Sequence, residues 1–150
     1  MTKQEKSAGA IIYYIDEEPF FLFLENTLKT TYWEFPKGKI EENEKIEETV
    51  KREVKEETTL ENFEMIKGFK HILRWFYKFQ NEIIHKEAVY LLVKIKKEEA
   101  EKVKINLEHQ KFKWMTFEEA MKEVKIKSNR EMLEKAFKFI KEHEKQKTLI

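Results

Sequence analysis

Residues 38–60 read GKIEENEKIEETVKREVKEETTL. Ile46, Val50 and Val54 recur every fourth residue, a spacing that lines side chains along one stripe of an α-helix. A helix over 43–58 is expected. At about 100° per residue, Glu53, Glu56 and Glu57 fall within an arc of roughly 100° beside that stripe. Glu44, Glu47, Glu48, Lys51 and Lys55 point elsewhere. One edge of the helix can therefore be pinned to a core while the next presents three carboxylates. Several oxygen donors on one rigid element suit a hard divalent cation. In a chain with 29 acidic residues the same triplet also reads as a solvated helix face.

Around this helix the composition describes an ordinary globular chain. Its 150 residues match one domain, so a single domain over 1–150 is expected. A 41% hydrophobic content with twelve phenylalanines supplies a core. Charged residues reach 39% with a net charge of only +1 and the signs interspersed, which argues against a nucleic-acid partner. The lack of cysteine excludes a disulfide framework and thiolate zinc sites. No apolar run is long enough to span a bilayer, and the opening MTKQEKSAG has no signal-peptide core. A soluble cytoplasmic protein, monomeric and without membrane contacts, is expected.

In chain order, 7–15 (SAGAIIYYI) and 20–25 read as strands joined by a turn over 16–19. Residues 26–31 are polar and loop-like. Residues 32–35 lead into Pro36-Lys37-Gly38, where the chain must bend. After the helix, 63–73 is expected to be extended, 74–79 to be a short aromatic strand, and 84–95 to be a further strand. Residues 96–104 form a charged loop or helical turn, and 107–115 another strand. Thr116–Glu119 and Ser128–Glu131 both fit the capping-box pattern, which predicts helices over 117–124 and 129–143 with a frayed tail. Strands, helix, strands, helices in that order give an α+β chain: a mixed β-sheet in an α/β/α sandwich.

The spacing now resembles a known signature. Gly38 is followed after five residues by Glu44, and after seven more by Arg52-Glu53-Val54. One residue on come Glu56-Glu57, and one further on Thr59-Leu60. This resembles the box of the Nudix hydrolases. Gly38 and Arg52 are rare residue types in this chain, and both fall in place. Thr59 departs from the pattern, which has glycine there; either Thr59 is strained or the helix exits differently. SAGAIIYY, WEFPKGKIEENE, GFKHIL, KEAVYLLVKI and LEHQKFKWMTFEEA extend the likeness from residue 7 to the final helix. They are similar to the asymmetrical bis(5′-nucleosyl)-tetraphosphatases.

The resemblance implies a Nudix fold and Mg²⁺-dependent hydrolysis of a dinucleoside polyphosphate, diadenosine tetraphosphate, to ATP and AMP, with Mn²⁺ as an alternative metal. It implies that Glu53, Glu56 and Glu57 bind the metal and that the Gly38 backbone approaches it. Glu53 is the first choice for general base, with Glu56 or Glu108 as alternatives. Arg52 would hold a catalytic carboxylate in a bidentate pair, or else be a surface arginine paired with Glu48 or Glu56. Glu44, expected on the opposite side of the helix, would give indirect support or belong to the helix start. Lys37, Lys39 and Lys86 would contact phosphate, and His109 phosphate or the nucleophile. Tyr90 and Phe112 would stack on bases. By periodicity alone, Lys86 with Tyr90, and Trp75 with Tyr77, also read as packing pairs. Other Nudix substrates (an oxidised nucleoside triphosphate, ADP-ribose, the triphosphate end of RNA) and a non-catalytic nucleotide sensor are the competing functions.

Overall fold

The computed structural model describes residues 2–26, 32–105 and 111–148. Seven strands among them form one sheet: β1 (Thr2–Asp16), β2 (Glu18–Asn26), β3 (Tyr32–Glu34), β4 (Lys37–Lys39), β5 (Glu64–Phe79), β6 (Glu82–Lys94) and β7 (Phe112–Thr116). The helices are α1 (Ile46–Thr58), α2 (Phe117–Glu123) and α3 (Lys127–Thr148), with a 3₁₀ turn over Lys97–Lys102. The main path runs β3-β2-β1-β6-β5, with β4 beside β1 and β7 beside β2. β1 and β6 are parallel and the other pairs antiparallel, so the sheet is mixed.

Period-two alternation divides two cores between the sheet's faces. Ile11, Tyr13, Phe21, Phe23, Tyr90 and Leu92 point one way and pack with Met132, Leu133, Ala136 and Ile140 of α3. Ala8, Ala10, Ile12, Leu22, Leu24 and Val93 point the other way and pack with Val50 and Val54 of α1. Helices therefore cover both faces, as the α/β/α sandwich requires.

Several boundaries differ from expectation for identifiable reasons. β1 begins at Thr2 because its polar start pairs with β6 from Thr2↔Ile83 onward. β5 is one long strand rather than two. Ile66 stands opposite Leu92 and His71 opposite Tyr90, so β5 uses five residues where β6 uses two. Gly68, at φ +99°, makes that bulge, and the odd number of extra residues switches which β5 side chains face α3. α1 starts at Ile46, not at residue 43, because Asn43 has φ 65° and Glu44 N–H closes a turn on the Glu41 carbonyl (3.0 Å). The capping box at α2 is present: Thr116 Oγ1 accepts from Glu119 N–H (3.2 Å), and Thr116 N–H donates to Glu119 (3.0 Å). The one expected at Ser128 is not the helix start. Arg130 N–H already bonds the Ile126 carbonyl (3.1 Å), so Ser128 lies within the first turn. α3 also takes in the tail, reaching Thr148.

One feature of the sheet positions the chemistry. β1 and β2 pair only between Tyr13↔Phe21 and Asp16↔Glu18 and then diverge. The segment 32–39 fills the opening: β3 pairs with β2, the Pro36 carbonyl accepts from Ala10 N–H (2.9 Å), and β4 pairs with Ser7–Gly9 of β1. Gly38 is thereby wedged beside the sheet, facing α1.

Candidate active site

α1 is anchored by Val50 and Val54, both fully buried. The adjoining edge carries Glu53 and Glu57, one turn apart and themselves buried at 8% and 4% exposure. Burying carboxylates is costly unless something compensates them. Gly38 supplies the room for Glu53. A Cβ built there would run into the Glu53 carboxylate, with even its farther oxygen only 2.5 Å away. The missing side chain is what lets Glu53 lie against the β4 backbone.

Arg52 supplies a compensating charge for Glu53. Its Nη1 donates to Glu53 Oε1 (2.7 Å) and more weakly to Glu56 Oε2 (3.2 Å). Its Nε and Nη2 grip Glu44 in a fork (2.7 and 2.9 Å), and Nη2 also reaches the Lys39 carbonyl (2.8 Å). The bidentate partner is thus Glu44, not a carboxylate of the acidic edge. The expected placement of Glu44 on the far side of the helix is corrected for the same reason: it precedes α1 and folds back beneath Arg52. Thr49 Oγ1 (2.7 Å) and Glu41 N–H (2.9 Å) complete its hydrogen bonds. The Arg52 guanidinium, then these two donors, hold the Glu44 carboxyl down at about 2. Glu44 fixes Arg52, and Arg52 fixes Glu53. Of the surface partners considered for Arg52, Glu56 is in contact, and Glu48 instead accepts from Lys45 N–H at the helix start (3.0 Å).

The oxygen donors suit a hard cation in kind. Among the described residues no three carboxylate or imidazole groups gather as a ready metal cage. Glu56 is turned to Arg52, its side chain 56% exposed. Mg²⁺ does not need such a cage, since it commonly binds through one or two carboxylates plus waters and substrate phosphates. Glu53 and Glu57, with the close Gly38 backbone, fit that mode.

On the α3 side of the sheet, cations and aromatics converge. Lys37 Nζ lies 5.1 Å and Lys86 Nζ 5.7 Å from the centroid of the Trp75 ring. Burial first, then the nearby Lys86 charge, lowers the Lys37 pKa, while Glu34 and Glu57 oppose the shift. Lys37 helps line a cleft of about 400 Å³ with Tyr32, Trp75, Tyr90, Ile126 and Asn129. It also borders a groove of about 280 Å³ with Gly38, Lys39, Lys86 and Ser7. A larger cleft of about 950 Å³, among Ile15, Glu61, Lys94 and Glu98, contains none of these residues.

The expected site residues thus divide. Gly38, Arg52, Glu53, Glu56 and Glu57 meet at the α1 edge, and Lys37, Lys39 and Lys86 adjoin it. Tyr90 lines the cleft, but it is only 4% exposed and its ring packs edge-on against Phe35, so it serves as wall rather than as an open stacking surface. Phe112 stands opposite Leu24, on the α1 face and away from Tyr90. Glu108 and His109 lie outside the described residues. Trp75, read by periodicity as core, does pack against the α3-side core and is also the ring beneath both lysines. Its place follows from the Trp75↔Lys86 register, which the bulge in β5 sets.

A mixed sheet between helices, with an Arg-anchored glutamate facing a glycine, defines a class. A NUDIX domain model matches residues 3–136, and the chain belongs to the Nudix family of hydrolases. Members of this family generally use a divalent metal such as Mg²⁺. The mouse asymmetrical bis(5′-nucleosyl)-tetraphosphatase (Mus musculus) is 29% identical over 122 residues, 80% of each chain. The rat enzyme of that name (Rattus norvegicus) is 27% identical over 123 residues, again 80% of each. Among solved structures, a C. elegans Ap4A hydrolase binary complex is similar with a TM-score of 0.77 and 27% identity, covering 91% of this chain and 97% of that one.

Proposed function

We propose that this Nudix hydrolase cleaves diadenosine tetraphosphate, with Mg²⁺, to ATP and AMP. The observation that carries the reading is Lys37. It belongs both to the aromatic cleft and to the groove at Gly38, so a place for a nucleoside and the acidic edge of α1 are joined through cations. The likeness to proteins named for this reaction supports the substrate class.

Glu53 and Glu57 would hold the metal, with Glu56 and the Gly38 backbone beside them. Bound Mg²⁺ would neutralise polyphosphate charge and acidify water. Lys37 and Lys86 bind the phosphate chain and place its terminal nucleotide phosphorus at Glu53. Glu53, oriented by Arg52, takes a proton from the attacking water as the new P–O bond forms. The bridging P–O bond breaks, ATP leaves, and AMP carries the oxygen from water. Trp75 and Tyr90 wall the cleft against bulk water.

Chromatography of products from a substrate panel tests this. ATP and AMP in equal amounts from diadenosine tetraphosphate, only with divalent metal, is expected. Absence of ATP, with rapid pyrophosphate release from a nucleoside triphosphate, would assign another Nudix substrate. Binding without turnover would make the chain a sensor.

A further inference from the structure

The active-site groove does not end at Lys86. It continues at Glu5 into a third cleft of about 510 Å³, lined by Lys3, Glu5, Tyr77, Phe79, Glu82 and Ile84. Strand register shows that this cleft lies on the same face as the cationic centre. Trp75 stands opposite Lys86, Tyr77 opposite Ile84, and Phe79 opposite Glu82; Glu5 and Lys3 of β1 flank Lys86 and Ile84. Trp75, Tyr77 and Phe79 therefore form a row along one strand, roughly 13 Å from first to last at 3.3 Å per residue.

The lining changes character along that row. Around Gly38 it is lysine, as a polyphosphate needs. Beyond Lys86 it becomes largely aromatic and apolar, with two carboxylates, Glu5 and Glu82, beside one lysine, Lys3, and Gln80. Carboxylates repel phosphate but accept hydrogen bonds from ribose hydroxyls and from an exocyclic amine. Tyr77 Oη already donates to Glu5 Oε2 (3.2 Å), which ties that ring to β1. Phe79 is 58% and Tyr77 38% exposed, large apolar surface with nothing over it among the described residues.

We propose that this hairpin cleft binds the second nucleoside of a dinucleoside polyphosphate. One nucleoside occupies the cleft of Trp75 and Tyr90, the phosphates lie along Lys37 and Lys86, and the other base stacks on Tyr77 and Phe79. The inference rests on the function proposed above and adds the element that separates two-ended from one-ended substrates.

The test compares diadenosine tetraphosphate with adenosine 5′-tetraphosphate, which has the same four phosphates and one nucleoside fewer. Affinities are measured by calorimetry with Mg²⁺ in Glu53→Gln protein, where turnover does not interfere, with and without Tyr77→Ala/Phe79→Ala. The dinucleotide is expected to bind about tenfold tighter than the mononucleotide, the scale of base–aromatic stacking. The hairpin substitutions should abolish that advantage and shift the mononucleotide less than twofold. Equal weakening of both ligands, no weakening of either, or no advantage for the dinucleotide at the outset would overturn the assignment. Hydrolysis by the unaltered protein is scored separately. If the dinucleotide is not cleaved, the proposed function fails, and the binding comparison still decides the role of the cleft.

Discussion

Gly38→Ala separates the catalytic role proposed for Glu53 from the stability of the fold. Gly38 does not have a positive φ, so alanine is compatible with its backbone. The atoms nearest the added methyl all belong to the Glu53 carboxylate, the far end of a flexible side chain. That carboxylate must retreat by about 1 Å, a misplacement that can cost about 10²-fold in rate. In barrier terms this is about 2.7 kcal/mol. The stability loss is smaller. The Arg52–Glu53 pair (2.7 Å) is broken or lengthened, while the Glu44 fork still holds Arg52. A partly exposed pair of this kind is worth about 1 kcal/mol, or roughly 2–4 °C of melting temperature at this chain length. KM should change less than kcat, since Lys37 and Lys86 are untouched. Steady-state kinetics and a thermal melt on one preparation provide the assay. Unchanged kcat in a folded Gly38→Ala protein would refute the role given to Glu53. A fall of more than about 10 °C would refute the claim that the side chain alone absorbs the clash.

Three further outcomes are expected. Thr59 ends α1 at φ 64°, so Thr59→Gly relieves about 1–2 kcal/mol of left-handed strain against roughly 0.4–1 kcal/mol of chain entropy, and denaturant unfolding should show a small net gain in stability; a loss above about 1 kcal/mol would contradict it. Lys37 loses its proton below the ordinary lysine value of 10.5, so its cation disappears as pH rises through that lowered pKa; KM for the tetraphosphate should climb on the alkaline side, and Lys37→Arg should remove that limb. Glu44 is the depressed-carboxyl case, its contribution present above pH 4.5 and lost as pH falls toward about 2. Glu44→Gln should flatten that acid loss in melts and lower kcat at least about tenfold through a loosened Arg52, with KM little changed.

The α1 stripe was legible because burial on a helix follows a local period. Val50 and Val54 are fully buried and Ile46 packs beside them. The acidic arc was legible as an arc, but its members were not distinguishable. Glu53 and Glu57 are buried while Glu56 is exposed, and Glu53 is covered by Gly38 of β4, which its pairing with Ser7–Gly9 places there. Glu44 was misplaced because the helix was started too early; Asn43 in the left-handed region turns the chain so that Glu44 reaches Arg52. Trp75 was legible as a packing residue sharing a face with Tyr77, and it does pack against the core; that this face also carries Lys86 depends on the β5–β6 register beyond the bulge. Each miss involves a tertiary pairing or a single backbone angle that no residue period encodes. The Thr59 question had two answers at the level of sequence, and its left-handed φ selects the strained one.

The proposed function turns on water attack at a terminal nucleotide phosphorus of diadenosine tetraphosphate beside Glu53. Hydrolysis in ¹⁸O-labelled water with Mg²⁺, followed by mass spectrometry of the separated products, tests it most directly. One ¹⁸O in AMP and none in ATP is expected. Label in ATP, or two molecules of ADP as products, would contradict it.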